Sequence, residues 1–152
     1  MRLSPKYLFA LLLSLPIITN CSEVSTKDIT ARLESKLLSN YNLLRWNNFQ
    51  QIKSTQTEKY KNAEIDYVFL KKIKVNQVHQ TNLFLSNENR RADVYYALEF
   101  YDTDTNKVQA INYHQEWIIE EEHQRTWILN SPLPDFKAAL QSAKPKIKVI
   151  KY

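Results

Sequence analysis

Residues 91–101 alternate without a break. Ala92, Val94, Tyr96, Leu98 and Phe100 fall on one side. Asp93, Tyr95, Ala97, Glu99 and Tyr101 fall on the other. A period of two with one apolar face is the pattern of a half-buried β-strand. Asp102-Thr103-Asp104-Thr105-Asn106 follows as a hairpin loop of turn-forming residues. A second long strand is predicted over about 107–120, through Val108, Ile111, Tyr113, Trp117 and Ile119. Glu121-Glu122-His123-Gln124 then turns the chain into a short strand, 125–130, that holds Trp127 and Leu129. Upstream, Val75, Gln77 and His79 alternate with Asn76, Val78 and Gln80, and Leu83-Phe84-Leu85 follows. Asn87-Glu88-Asn89 is the turn into residue 91. Successive hairpins of this kind predict an antiparallel meander.

Before residue 74 the period changes. Ile29, Leu33, Leu37, Tyr41 and Leu44 recur at helical spacing and predict a helix from about 27 to 40. Asn40-Tyr41-Asn42 marks a break, after which the helix continues or restarts through Trp46, Phe49 and Ile52. Residues 54–62 are polar and read as a loop. Residues 63–73 read as a short helix through Ile65, Phe69 and Ile73, with a buried strand at 67–70 as the alternative. After the sheet, Ser131-Pro132-Leu133-Pro134 stops strand structure. Asp135 is positioned to cap a short helix through Phe136, Ala139 and Leu140. The tail, 144–152, alternates like an edge strand or hangs free. Helices first and a strand meander second make an α+β domain.

The chain contains no glycine, against an average usage of about 7%. Phosphate-binding P-loops, dinucleotide-binding G-x-G-x-x-G turns and the G-x-S-x-G nucleophile elbow are therefore excluded. Turns must be made by Asn, Asp and Pro.

The first 20 residues have a different character. Arg2 and Lys6 precede an apolar run from Tyr7 to Ile18, and no acid occurs before Glu23. This is the layout of a secretory signal, and the run is shorter than the roughly 20 residues that span a bilayer. It ends in Ile18-Thr19-Asn20-Cys21, which resembles a lipobox, the processing site of bacterial lipoproteins. Asn20 departs from that pattern, which prefers a small residue before the cysteine. Cys21 is the sole cysteine, so it has no internal disulfide partner. The resemblance implies cleavage before Cys21 and lipidation of that residue. Two or more acyl chains anchor stably where one does not. Ser22, rather than Asp, implies transfer to the outer membrane.

This divides the chain into a signal peptide (1–20), a tether (21–26), one α+β domain (27–143) and a basic tail (144–152). The net charge of +5 comes from the ends. The signal holds two bases, and the tail holds Lys144, Lys146, Lys148 and Lys151 without an acid. The domain between them is close to neutral and lacks the basic face of a nucleic-acid-binding protein. The tail lysines are candidates for contact with anionic lipid headgroups.

The order of elements, together with Trp117-Ile118-Ile119, Thr126-Trp127-Ile128-Leu129 and Pro132-Leu133-Pro134, resembles the nuclear transport factor 2-like (NTF2-like) fold. That resemblance covers 27–136 and implies N-terminal helices packed on a curved antiparallel sheet that forms a cone. A cystatin-like or other helix-on-sheet fold reads similarly. Enzymes of the resembling class, such as ketosteroid-isomerase-like and SnoaL-like proteins, use an Asp or His with a Tyr inside the cone.

Candidate chemistry is sparse. His114 and Glu116 share one strand face, as do Asp93, Tyr95 and Glu99. A metal pair or an acid–base pair competes here with a simple solvated strand face. His79 and His123 stand apart. No metal site, cofactor site or catalytic residue is assigned. Tyr95, Tyr101 and Tyr113 are the candidates for an exposed aromatic stripe that binds a peptide or glycan, with cross-strand pairing as the alternative. The expected function is that of a membrane-anchored envelope lipoprotein facing the periplasm. Its domain is expected to be non-catalytic and to bind an envelope protein or self-associate. The alternative is a ligand-binding or isomerase-like cone.

Overall fold

A computed structural model describes residues 26–86, 90–120 and 126–142. The signal-like segment, Cys21, the two predicted turns at 87–89 and 121–124, and the lysine tail lie outside the described residues.

The described residues open with helix α1 (Thr26–Arg45), followed by three short helices, α2 (Phe49–Ser54), α3 (Glu58–Lys61) and α4 (Tyr67–Leu70). Four strands follow: β1 (Ile73–Ser86), β2 (Arg91–Asp102), β3 (Val108–Ile119) and β4 (Trp127–Leu129). Helix α5 (Phe136–Ser142) is the last described element. The strands form one sheet in the order β1-β2-β3-β4, antiparallel throughout. The α+β meander expected from the alternating pattern is the observed architecture.

Helix α1 does not break at Asn40-Tyr41-Asn42. Asparagine disrupts helices by bonding to its own backbone, but Asn40 is only 1% exposed and its Oδ1 accepts from Gln115 Nε2 at 2.7 Å. That bond to the sheet occupies the amide oxygen. The chain turns instead at Asn47, which takes a left-handed conformation (φ 57°). Asn48 then caps α2 by accepting from Gln51 N at 3.2 Å. The only other positive φ among the described residues is Asn106, at 53°, in the β2–β3 turn. Without glycine, asparagine tolerates this region best.

Two other local readings change. The polar stretch 54–62 contains one helical turn, α3, rather than loop alone. In β1, Val75 and Val78 are both buried although a regular strand would send them to opposite faces. A register irregularity between Val75 and Gln77 absorbs the odd residue, and a second lies between Gln80 and Asn82. Each is a bulge that returns the apolar residues to one face. The short helix within 63–73 forms as α4, capped by Asp66, whose Oδ1 accepts from Phe69 N at 2.9 Å. Asp135 caps α5 in the same way, accepting from Ala138 N at 2.9 Å.

The helices cover one face of the sheet, and the core lies between them. Leu33, Leu37 and Leu44 of α1 point into it, with Val94, Leu98 and Phe100 of β2 and Trp117 of β3. Phe136 is 1% exposed and packs edge-on against Phe49 at 5.5 Å and Phe100 at 4.8 Å. Trp127 Nε1 donates to Ile29 O at 3.0 Å and ties β4 to the start of α1. Trp117 Nε1 donates to Gln115 Oε1, and Gln115 donates on to Asn40. This buried polar chain joins the sheet to α1.

Candidate functional site

The β2–β3 register decides which polar residues meet. Asp93 lies opposite Glu116, and Tyr95 lies opposite His114. All four point away from the helices. The two pairs noticed separately in the sequence are therefore one cluster on the outer sheet face.

His114 Nε2 lies 2.8 Å from Asp93 Oδ1. An ionised carboxylate only accepts, so Nε2 carries the proton in this contact. Arg91 reaches Asp93 from the other side, with Nε 3.2 Å from Oδ2 and Nη2 3.3 Å from Oδ1. The same Nε is 3.0 Å from Glu116 Oε1. Glu116 Oε2 accepts from Asn130 Nδ2 at 2.6 Å, and Asn130 Oδ1 accepts from Thr57 Oγ1 at 3.1 Å. On the opposite flank, the Tyr95 ring stacks on His114 at 4.6 Å, and Phe84 of β1 meets Tyr95 edge-on at 6.0 Å. The result is a continuous ladder from Phe84 on β1 to Thr57 beyond α2. It runs across β1, β2 and β3.

Its electrostatics follow from this geometry. Partial burial pushes the Asp93 carboxyl up, but the hydrogen bonds and charges of Arg91 and His114 outweigh that effect, so its pKa falls below 3.8. The Asp93 side chain keeps 17% exposure, while Arg91 and His114 keep 47% and 43%. The acid is held inside the ladder, and the Arg91 guanidinium and the His114 ring face solvent. Arg91 is pushed above its ordinary value by its hydrogen bond to Asp93 and by the charges of Asp93 and Glu116.

The sequence-predicted stripe does not assemble. Tyr95 is exposed and Tyr101 is half-buried on the same face. Tyr113 pairs with Tyr96, faces the helices and is 5% exposed. Its hydroxyl donates to Pro132 O at 2.8 Å. The odd position of Tyr113 in β3 puts it among Ile111, Trp117 and Ile119, so a shared residue type did not mean a shared face. Glu99 lies on the outer face but bonds to Asn76 Nδ2 at 3.5 Å, away from the ladder. Arg91 and Phe84 were not singled out from the sequence. The Arg91-x-Asp93-x-Tyr95 spacing contained the signal for Arg91, whereas Phe84 needed the β1 register.

A second feature lies on the helix side. Glu34, Leu37, Leu38, Tyr41, Gln80, Leu83 and Tyr96 line a groove of about 350 Å³ between α1 and the outer half of β1. The Tyr96 hydroxyl is buried there with no hydrogen-bond partner among the described residues. Burial alone pushes its pKa up to about 12.

Among the described residues, no group of three or more His, Cys, Asp and Glu side chains is placed to hold a metal. No described helix is long and apolar enough to cross a membrane. No protein-family model and no curated protein matches this chain.

Proposed function

We propose that this chain is a lipid-anchored envelope protein whose α+β domain is a non-catalytic binding or scaffolding module. The anchor is lipid on Cys21 after removal of residues 1–20, and the domain faces the periplasm from the outer membrane. Lys144, Lys146, Lys148 and Lys151 add contact with anionic headgroups, at ~1 kcal/mol per residue near such a surface. Helices followed by a meander, with two bulges in β1, support an NTF2-like arrangement of the domain.

The observation that carries the binding reading is the ladder on the outer sheet face. Arg91 presents a half-exposed guanidinium with the half-exposed His114 imidazole next to it, and Tyr95 presents an aromatic face beside them. Such a surface suits a polar envelope component that offers both acceptors and a flat or apolar group. A catalytic cone would need Asp93 or His114 on the inner face, among Trp117, Phe100 and Phe136. Both residues point outward, which favours binding over catalysis.

Two measurements test this. Cys21→Ser is expected to abolish incorporation of labelled fatty acid and to release the protein from membranes. A variant that still fractionates with membranes like the wild type would overturn the tether. A photo-crosslinker at Tyr95 is expected to capture a discrete envelope component in cells, while the same group at Val68, 73% exposed elsewhere on the surface, captures none. Equal labelling from both positions would overturn the assignment of the binding face.

A further inference from the structure

The sheet ends differently at its two edges. At β4 the chain covers its own edge. Thr57 N donates to Leu129 O at 2.9 Å, and Leu129 N donates to Thr55 O at 3.2 Å, in a parallel bridge at Gln56. At β1 a side-chain bond covers one point, where Asn47 Oδ1 accepts from Val75 N at 2.8 Å. Beyond Val75 no described strand lies against the outer side of β1.

An open edge of this kind normally carries lysine, proline or an inward charge that blocks further pairing. Residues 75–86 read Val-Asn-Gln-Val-His-Gln-Thr-Asn-Leu-Phe-Leu-Ser and contain no Lys, Arg, Asp, Glu or Pro. The two bulges twist the first part of this stretch. The last five residues, Asn82 to Ser86, run against β2 without irregularity and are exposed. Within them Phe84 is 57% exposed, with Leu83 at 37% and Leu85 at 39%.

Those five residues are self-complementary. We propose that β1 pairs antiparallel with β1 of a second copy across Asn82–Ser86, about a two-fold axis at Phe84. In this register Leu83 faces Leu85 of the second copy on the helix side. Asn82 faces Ser86, and Phe84 meets its own counterpart on the outer side. Apolar residues meet apolar ones, and polar residues meet polar ones. The missing charges matter most here, because a two-fold pair sets like charge against like charge near its axis. Each Phe84 already packs on Tyr95, so the axis gathers four rings. On the helix side, Leu38, 64% exposed beside Leu83 across the groove, extends the apolar strip. The joined sheet then ends at two β4 edges, each closed by its own Thr55–Thr57 segment. The assembly stops at two copies. This pairing does not rest on the tether, and it shares only Phe84 and Tyr95 with the outer-face ladder.

The test uses the full chain in mild detergent, followed by sedimentation across the micromolar range. The wild type is expected to be a dimer. Phe84→Lys and Phe84→Glu are each expected to weaken dimerisation roughly tenfold to a hundredfold, from like charges set about 5 Å apart at a partly solvated site. An equimolar mixture of the two is expected to recover a heterodimer, and each variant alone is expected to keep the wild-type circular dichroism. A wild type that stays monomeric, or charge variants that dimerise as well as the wild type, would overturn the proposal. A full-length monomer that becomes dimeric on removal of 143–152 would also overturn it, by giving the β1 edge to the chain's own tail.

Discussion

Asp93 is the residue on which the outer-face ladder turns. It takes hydrogen bonds from Arg91 and His114, and its lowered pKa records that support. A carboxyl whose folded pKa lies below its unfolded value stabilises the fold fully above the unfolded value, 3.8 here. That contribution disappears as pH falls through the lower folded value. Asp93→Asn keeps the shape of the side chain and removes its charge. The gap in urea midpoint between wild type and this variant is expected to be widest near neutral pH and to close below 3.8. A gap independent of pH would mean that shape, not charge, holds the ladder together. Both pairs, Asp93 with Tyr95 and His114 with Glu116, were visible in the sequence as positions two apart. Their meeting was not, because it depends on which residue of β3 stands opposite Asp93.

At the scale of elements, Asn47 does two jobs. Its positive φ ends α1 and aims the chain at α2, while its side chain covers Val75 N at the β1 edge. Asn47→Ala loses the bond, worth about 1 kcal/mol, and puts a residue without asparagine's local polar bonding into the left-handed region, which costs roughly another 1–2 kcal/mol. Chemical denaturation is expected to show a loss of about 2–3 kcal/mol in total. Asn47→Gly should recover the backbone part alone. If glycine is no better than alanine there, the strain argument fails. The same residue type behaves differently at Asn40, which lies inside α1 without ending it because Gln115 engages its amide oxygen. The local sequence reads as a break at Asn40-Tyr41-Asn42 and carries no such signal at Asn47, and tertiary bonding reverses the two.

For the whole molecule, the core tyrosines set an alkaline limit. Burial pushes Tyr96 from 10.0 up to about 12. Burial also pushes Tyr113 up, with the Tyr96 charge adding to it and a Gln115 hydrogen bond opposing it. A raised folded pKa leaves stability intact below 10 and removes it as pH climbs from there through the folded value, since only the unfolded chain ionises readily. Alkaline titration is expected to show a late class of tyrosines whose tyrosinate absorbance rises together with loss of circular dichroism. Phe substitutions at both positions should move that transition to higher pH. Smooth ionisation of all tyrosines with the fold intact would contradict the buried placement of Tyr96 and Tyr113.

The sequence by itself determined the class of fold. The period of two over 91–101, the turn residues at 102–106 and the helical spacing from Ile29 to Leu44 are local properties, and local physics suffices to read them. It also determined what the chain lacks, since a glycine-free sequence cannot build phosphate-cradling loops. Tertiary structure decided everything that depends on register. Pairing of β2 with β3 joined Asp93 to His114 and sent Tyr113 inward. One bulge realigned Val75 with Val78, and the order of strands left β1 at an edge of the described sheet. A one-residue shift in pairing reverses every face of a strand. That shift is set by long-range packing of Trp117, Phe100 and Phe136 against the helices, which no window of sequence contains.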